Sequence, residues 1–210
     1  MARRNEAERL FELTRMEREF WEKGIFPAGM DEVGRGPLAG PVVTACIIMP
    51  PEPLVEYVND SKKVSEGRRE KLAPILRETA IAFGTGWADE KEIDAVNILN
   101  ATKNAFVRAY ENMGVACEHV FVDAVKGLAI PAQQHPLIHG DAISYLIAAA
   151  SIVAKVERDA YMREMDALYP MYGFARNKGY GTAEHIAALK AYGPCPIHRC
   201  SFIKNIVEDV

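Results

Sequence analysis

A chain of 210 residues can bury a substantial core, and 49% hydrophobic with 26% charged residues excludes a disordered chain. It carries no apolar run long enough to span a bilayer, and a net charge of −4 excludes a broad polyanion-binding surface, so any nucleic acid must be met by a local basic patch. Cys46, Cys117, Cys195 and Cys200 form no CxxC pair, which fits free thiols in a reducing cytoplasm rather than a disulfide scaffold.

The opening Met1-Ala2-Arg3-Arg4-Asn5-Glu6 has no hydrophobic signal core, so the expectation is a cytoplasmic protein, with a monomer as default. Residues 7–23 place Leu10, Leu13, Met16 and Phe20 at helical spacing and predict one amphipathic helix packed on the body, without a catalytic role. Residues 27–33 and 42–49 read as an antiparallel pair of strands around a glycine-rich turn, ended by Pro50, Pro51 and Pro53. Ser65 is placed to cap a helix reaching about residue 79, which Pro74 should kink or interrupt. Residues 80–87 predict a third strand and 90–113 one long helix, whose early acids Asp89, Glu90, Glu92 and Asp94 complement the helix dipole. A short buried strand, 119–122, runs into Asp123. Gly140-Asp141 opens a long helix to about residue 168, and 182–192 forms a shorter one. His135 and His139 fall on a Pro-bounded loop as ordinary polar residues.

The chemistry concentrates in Met30-Asp31-Glu32-Val33-Gly34-Arg35-Gly36, where two carboxylates run into a glycine turn. Acids on an apolar segment are costly to desolvate unless a cation receives them. Asp123 and Asp141 stand at a strand end and a helix start, where ligands of α/β sheets gather. Two carboxylates about 4 Å apart repel by about 4 kcal/mol at an effective dielectric near 20, and two divalent ions would neutralise four acids. Oxygen ligands favour magnesium or manganese, and a pair of such ions is suited to phosphodiester hydrolysis. Successive strand side chains point to opposite faces, so Asp31 and Glu32 reach one centre only if the strand bulges or ends at Glu32, or if Glu32 uses its carbonyl.

Asp141, Ser144, Ala148, Ser151, Lys155 and Arg158 share one helix face, small and then basic, which suits close approach to phosphates; packing of the small residues against the sheet is the structural alternative. Asp60-Ser61-Lys62-Lys63 and Arg176-Asn177-Lys178-Gly179-Tyr180-Gly181-Thr182 add cations beside glycines, and Tyr180 offers a ring for stacking on a base or sugar. Cys195, His198 and Cys200 could contribute to a metal site, but a closed zinc site needs four ligands. No dinucleotide fingerprint, phosphate loop or GxSxG elbow is present.

These residues resemble the bacterial ribonuclease HII family, through Asp31-Glu32-Val33-Gly34-Arg35-Gly36, Asp60-Ser61-Lys62-Lys63, Ile93-Asp94, Phe121-Val122-Asp123, Gly140-Asp141-Ala142, the run from Ala149 to Lys155, Gly179-Tyr180-Gly181-Thr182 and His198-Arg199, in order from about residue 28 to 202. The resemblance implies an α/β, ribonuclease H-like mixed sheet of five strands flanked by helices. Its expected division is an N-terminal helical extension (1–26), a catalytic core (27–170) and a helical C-terminal portion (171–210) packed on it. It also implies that Asp31, Glu32, Asp123 and Asp141 are the catalytic and metal-binding acids, holding two magnesium or manganese ions. Gly34, Arg35 and Gly36 would sense the 2′-hydroxyl through backbone groups, and Tyr180 would stack at the junction. Lys62, Lys63, Ser151, Lys155 and Arg158 complete the expected substrate-binding set. The implied reaction cuts on the 5′ side of a ribonucleotide in duplex DNA or an RNA·DNA hybrid, serving ribonucleotide excision and primer removal. Ala124 departs from the glycine common in relatives. The rivals are another two-metal carboxylate nuclease and a non-catalytic hybrid-binding module.

Overall fold

The computed structural model describes residues 2–207, with side chains from Glu6 onward. Five strands form one mixed sheet in the order β3-β2-β1-β4-β5. β1 (Ala28–Val33) and β2 (Val42–Ile48) pair antiparallel around the glycine turn as expected, and β3 (Ala82–Ala88) continues that meander. β4 (His119–Asp123) then lies parallel to β1, and β5 (Gln133–Leu137) parallel to β4. This last strand was not foreseen: Gln133-Gln134-His135-Pro136-Leu137 has neither alternation nor an apolar run, and it sits at the sheet edge, where Pro is tolerated. His135 is therefore a strand residue, not a loop residue.

Two helices cover the two faces. Ala28, Met30, Cys46, Ile48, Val120 and Val122 pack on Phe106, Ala109, Tyr110 and Met113 of α5 (Ile98–Met113). The opposite parity packs on α7 (Tyr145–Leu168), where Gly29 lies so close to Leu146 that an added Cβ would sit 2.2 Å from the Leu146 carbonyl carbon. Asp31 shares the parity of Gly29, and Asp123 that of Phe121, which belongs to the α7-side core. The alternation that buries the core thus sends both acids towards the same helix.

Three predicted helices are cut in two by a single residue. At the N-terminus, α1 (Ala2–Leu13) and α2 (Arg15–Trp21) meet at Thr14, whose hydroxyl bonds back to the Leu10 carbonyl at 2.8 Å. α4 (Glu90–Val96) ends at Asn97, where φ is +67° and the side-chain oxygen accepts from the amides of Leu99 and Asn100 to start α5. The third break separates α6 (Gly140–Ile143) from α7: Ser144 is extended and its Oγ accepts from the Ile147 amide. At Asn97 and Ser144 a short polar side chain satisfies backbone amides that helix continuation would otherwise satisfy, whereas Thr14 keeps the helical bonds on both sides of it. Conversely, α3 (Glu66–Thr79) passes through Pro74 without interruption, and Ser65 precedes it without a side-chain cap bond.

The start of α7 has a further partner. Glu17 of α2 is fully buried and its Oε1 accepts from the Ser144 hydroxyl at 2.6 Å and the Leu146 amide at 3.2 Å. Burial raises its pKa, and the Ser144 bond opposes that rise. An acid is favoured at a helix N-terminus.

After a 3₁₀ turn at Pro170–Tyr172, the chain adds α8 (Phe174–Asn177), α9 (Ala183–Tyr192) and α10 (Cys200–Val207). Tyr172, Phe174, Leu189, Ile197 and Ile203 form their own cluster with Ala39 and Met162, which ties this portion to the glycine turn and α7. Asp89 caps α4 by accepting from the Glu92 amide, and Asp94 accepts the amides of Cys200 and Ser201, so the acids of this region are structural.

Candidate active site

Asp31 comes from β1, Glu32 follows it, Asp123 ends β4 and Asp141 lies in α6. Asp31 is 5% exposed and accepts the Glu32 amide at 2.7 Å. Burial, then the charges of Glu32 and Asp123, push its pKa well above the usual carboxylate value. Glu32 is raised too, by burial, with Arg35 at 3.3 Å opposing and Asp123 adding to the rise. The strand continues regularly, with Glu32 opposite Thr44 and Val33 opposite Val43, so the expected bulge or strand end at Glu32 is absent. Asp123 Oδ1 accepts the Gly140 amide at 2.8 Å, which fastens β4 to α6. Burial raises the Asp141 pKa, and the neighbouring carboxylates of Asp60 and Asp123 raise it further.

Asp60 is a fifth acid at this centre, absent from the sequence-based set because the two lysines that follow it suggested a basic loop. Its carboxylate accepts the Lys62 amide at 2.9 Å.

Burial works against ionising Asp31, Glu32 and Asp141, and a counter-charge relieves this. Lys62 supplies part of it: its ammonium is 3.7 Å from Asp141, and although burial works to lower its pKa, the charges of Asp141, Asp60, Asp31 and Asp123 outweigh that and raise it. Among the described residues no three acids, histidines or cysteines are already arranged around one ion. The donor set still fits a hard cation, because the buried Glu32 Oε2 has no hydrogen-bond partner and the neighbouring acids strain against one another.

Beside the acids, the glycine turn is held from below by two buried arginines. Arg199 donates from Nη2 to the Gly34 carbonyl (2.5 Å) and the Gly40 carbonyl (2.7 Å), from Nε to Gly40 (2.9 Å) and from Nη1 to Arg35 (2.9 Å). Arg158 donates to the carbonyls of Pro41, Lys178 and Ala39 at 2.8, 2.8 and 3.0 Å. Arg158 is wholly inaccessible, so the expectation that it meets phosphate is corrected: its guanidinium is spent inside the protein. Gly34 has φ +92°, and a Cβ there would lie 2.2 Å from Arg158 Nε, so only glycine fits. Tyr180 is 45% exposed, its ring 3.8 Å from where a Gly36 Cβ would stand.

The remaining predicted contacts divide. Lys62 and Lys63 are largely exposed. Ser151 is buried, donating to Ser61 Oγ at 2.8 Å. Lys155 is bound to Asp159 at 2.6 Å, and Asp159 also meets Arg69, which donates to the carbonyls of Ser61 and Val64. Ser151 and Lys155 thus brace the 60–64 loop against α7, leaving its lysines as the outward cations. Cys195, His198 and Cys200 do not converge: Cys195 Sγ lies 3.1 Å from His198 Nδ1, but His198 Nε2 faces His185 Nε2 at 3.0 Å and Cys200 is exposed. Burial, then His185, push the His198 pKa down to about 4, and burial lowers that of His185.

The family model described as Ribonuclease HII matches residues 28–205. The chain belongs to the ribonuclease HII family. It is 51% identical over 204 residues to "Ribonuclease HII" of Caldanaerobacter subterraneus subsp. tengcongensis, covering 97% of this chain and 85% of that protein. Among solved structures, the ribonuclease H2 from Pyrococcus horikoshii OT3 superposes with a TM-score of 0.73 at 26% identity, over 88% of this chain and 98% of that one. Bst-RNase HIII, solved in complex with Mn2+, shares the fold at 18% identity, with a TM-score of 0.60 over 80% of this chain and 63% of that one. The chain is accordingly a hydrolytic endoribonuclease with a ribonuclease H-like fold, of a family that is typically metal-dependent and acts on RNA–DNA hybrids. No helix among its described residues is long and apolar enough to cross a membrane.

Proposed function

We propose that this member of the ribonuclease HII family hydrolyses the phosphodiester on the 5′ side of a ribonucleotide in duplex DNA or an RNA·DNA hybrid, leaving a 3′-hydroxyl and a 5′-phosphate. The observation that carries the reading is the adjacency of an acid cluster containing an unpartnered buried carboxylate oxygen to a glycine turn flanked by an exposed tyrosine. A nuclease indifferent to the sugar has no use for the second half of that arrangement.

Asp31, Glu32, Asp123 and Asp141 would hold two magnesium or manganese ions. Bound there, such ions supply an activated water and stabilise the leaving oxygen. The chain's own part is positioning. The Glu32 amide orients the Asp31 carboxylate, and the Gly140 amide orients Asp123. Lys62 and Lys63, outward cations beside the acidic centre, take the backbone phosphates. Tyr180 stacks on the sugar or base at the junction. The cellular tasks that follow are ribonucleotide excision and RNA primer removal by a cytoplasmic monomer.

The test is cleavage of an end-labelled DNA duplex carrying one ribonucleotide, beside an all-DNA duplex, with magnesium, manganese or chelator. A single metal-dependent cut 5′ to the ribonucleotide is expected. Equal cutting of both duplexes, or none by folded protein with metal, overturns the reading.

A further inference from the structure

The two buried arginines beneath the glycine turn have no carboxylate partner among the hydrogen bonds they make; every acceptor is a main-chain carbonyl. That choice has a directional consequence. In a trans peptide the carbonyl and the following amide point in opposite directions. With the Gly34 and Arg35 carbonyls drawn down onto Arg199, the amides of Arg35 and Gly36 are turned up and away from it. Both residues are exposed, and among the described residues no acceptor takes either amide. Pro37, which follows, has no amide to offer.

The same clamp fixes the neighbouring tyrosine segment. Arg158 holds the Lys178 carbonyl together with those of Ala39 and Pro41, and the Leu38 amide donates to the Gly179 carbonyl at 2.8 Å. Gly179 has φ +83° and lies so close to Ala39 that a Cβ would sit 2.4 Å from its carbonyl oxygen. The turn and the Tyr180 segment are therefore one stitched unit, with the ring edge beside Gly36.

We propose that Arg199, seconded by Arg158, is a positioning residue of ribonucleotide recognition: it aims the Arg35 and Gly36 amides as a preset donor pair at the oxygens of the ribonucleotide and locks Tyr180 beside them. This rests on the 5′-junction reading above. Preset donors cost no reorganisation when substrate arrives, whereas a free glycine-rich turn would have to be ordered first. Buried guanidinium is suited to the task, because its planar fork makes four hydrogen bonds to three carbonyls in a fixed geometry, whereas an ammonium has only three rotatable donors.

The deciding variant is Arg199→Lys, which keeps the charge and loses the fork. With the fold intact by circular dichroism, turnover of the single-ribonucleotide duplex at saturating metal is expected to fall about ten- to a hundredfold, while manganese affinity measured by calorimetry stays within about twofold because no acid is touched. Wild-type turnover in the folded variant overturns the proposal. So does a loss that matches the unfolded fraction and disappears when rates are normalised to folded protein. A second measurement needs no change at Arg199: in the Asp31→Asn protein, amide signals of Arg35 and Gly36 are followed by heteronuclear NMR as duplex is added. They are expected to shift with the single-ribonucleotide duplex and much less with the all-DNA duplex. Equal shifts, or none, overturn the donor-pair role even where cleavage is normal. If wild-type protein fails to cut at the ribonucleotide, the functional reading falls, and this inference with it.

Discussion

The acid cluster and the arginine clamp lie side by side, and each buries charge, yet they are finished in opposite ways. Arg158 and Arg199 have their donors met by carbonyls of the same chain, so their charge is complete within the fold. Burial and the nearby Arg158 charge push the Arg199 pKa down to about 9, which still leaves it charged at neutral pH. The acids are left in deficit: Asp31 and Glu32 repel each other and Asp123, and Glu32 Oε2 meets nothing. The difference teaches how to separate structural from functional charge. Here the charges that main-chain carbonyls satisfy organise the chain, and the mutually repelling acids are left open to a cation from outside.

Substitution should expose that contrast most sharply at Asp31. Asp31→Asn is expected to reduce metal-dependent cleavage by about a hundredfold or more, while the metal-free thermal midpoint stays level or rises, because one repelling charge has gone. A clear drop in the metal-free midpoint would show the acid to be structural. At the other charge the sign reverses. Arg199→Met should lower unfolding free energy by about 3 kcal/mol or more in urea titration, since carbonyls are left buried without donors.

Acidification probes a third buried pair. His198 is held down to about 4 against an ordinary value near 6.5, because its ring is buried and faces His185 across one shared proton position. The unfolded chain binds that proton first, so stability is full above about pH 6.5 and falls as pH drops towards about 4. His198→Gln should flatten this slope in denaturant titrations, and an unchanged slope would assign it elsewhere. The smallest effect belongs to Tyr180, which is half in solvent. Tyr180→Ala should cost roughly 1–3 kcal/mol of junction recognition, seen as slower cleavage at a single ribonucleotide, with Tyr180→Phe close to wild type.

Much of this was legible in the sequence because acids among apolar residues carry a cost that demands explanation. Asp31 announced itself within the apolar β1 and Asp123 at the end of β4, and the glycines beside Arg35 marked a turn with special backbone. The five-stranded α/β fold followed from the resemblance, but from periodicity alone β5 was invisible, since its pairing with β4 rather than its composition makes it a strand. Arg158 was misread because helical spacing groups Cα atoms by face and says nothing of where a long side chain ends; its acceptors are 20 to 119 residues away. Asp60 was hidden by its lysine neighbours, and Asn97 by the ability of one capping side chain to split an otherwise uniform helical pattern.

Glu17 carries a consequence for how the chain comes together. The carboxylate that receives the start of α7 is 127 residues from Ser144, so it leaves the ribosome long before the helix it completes. Until then the paired helices at the front hold a carboxylate whose acceptor bonds are taken only by water. The docking of α2 onto α7 is thus a contact between segments far apart in the chain, the kind that raises contact order. A truncated chain beginning at Ala28, the first residue of the family match, would keep every acid of the centre and lose the group that seats the helix behind them.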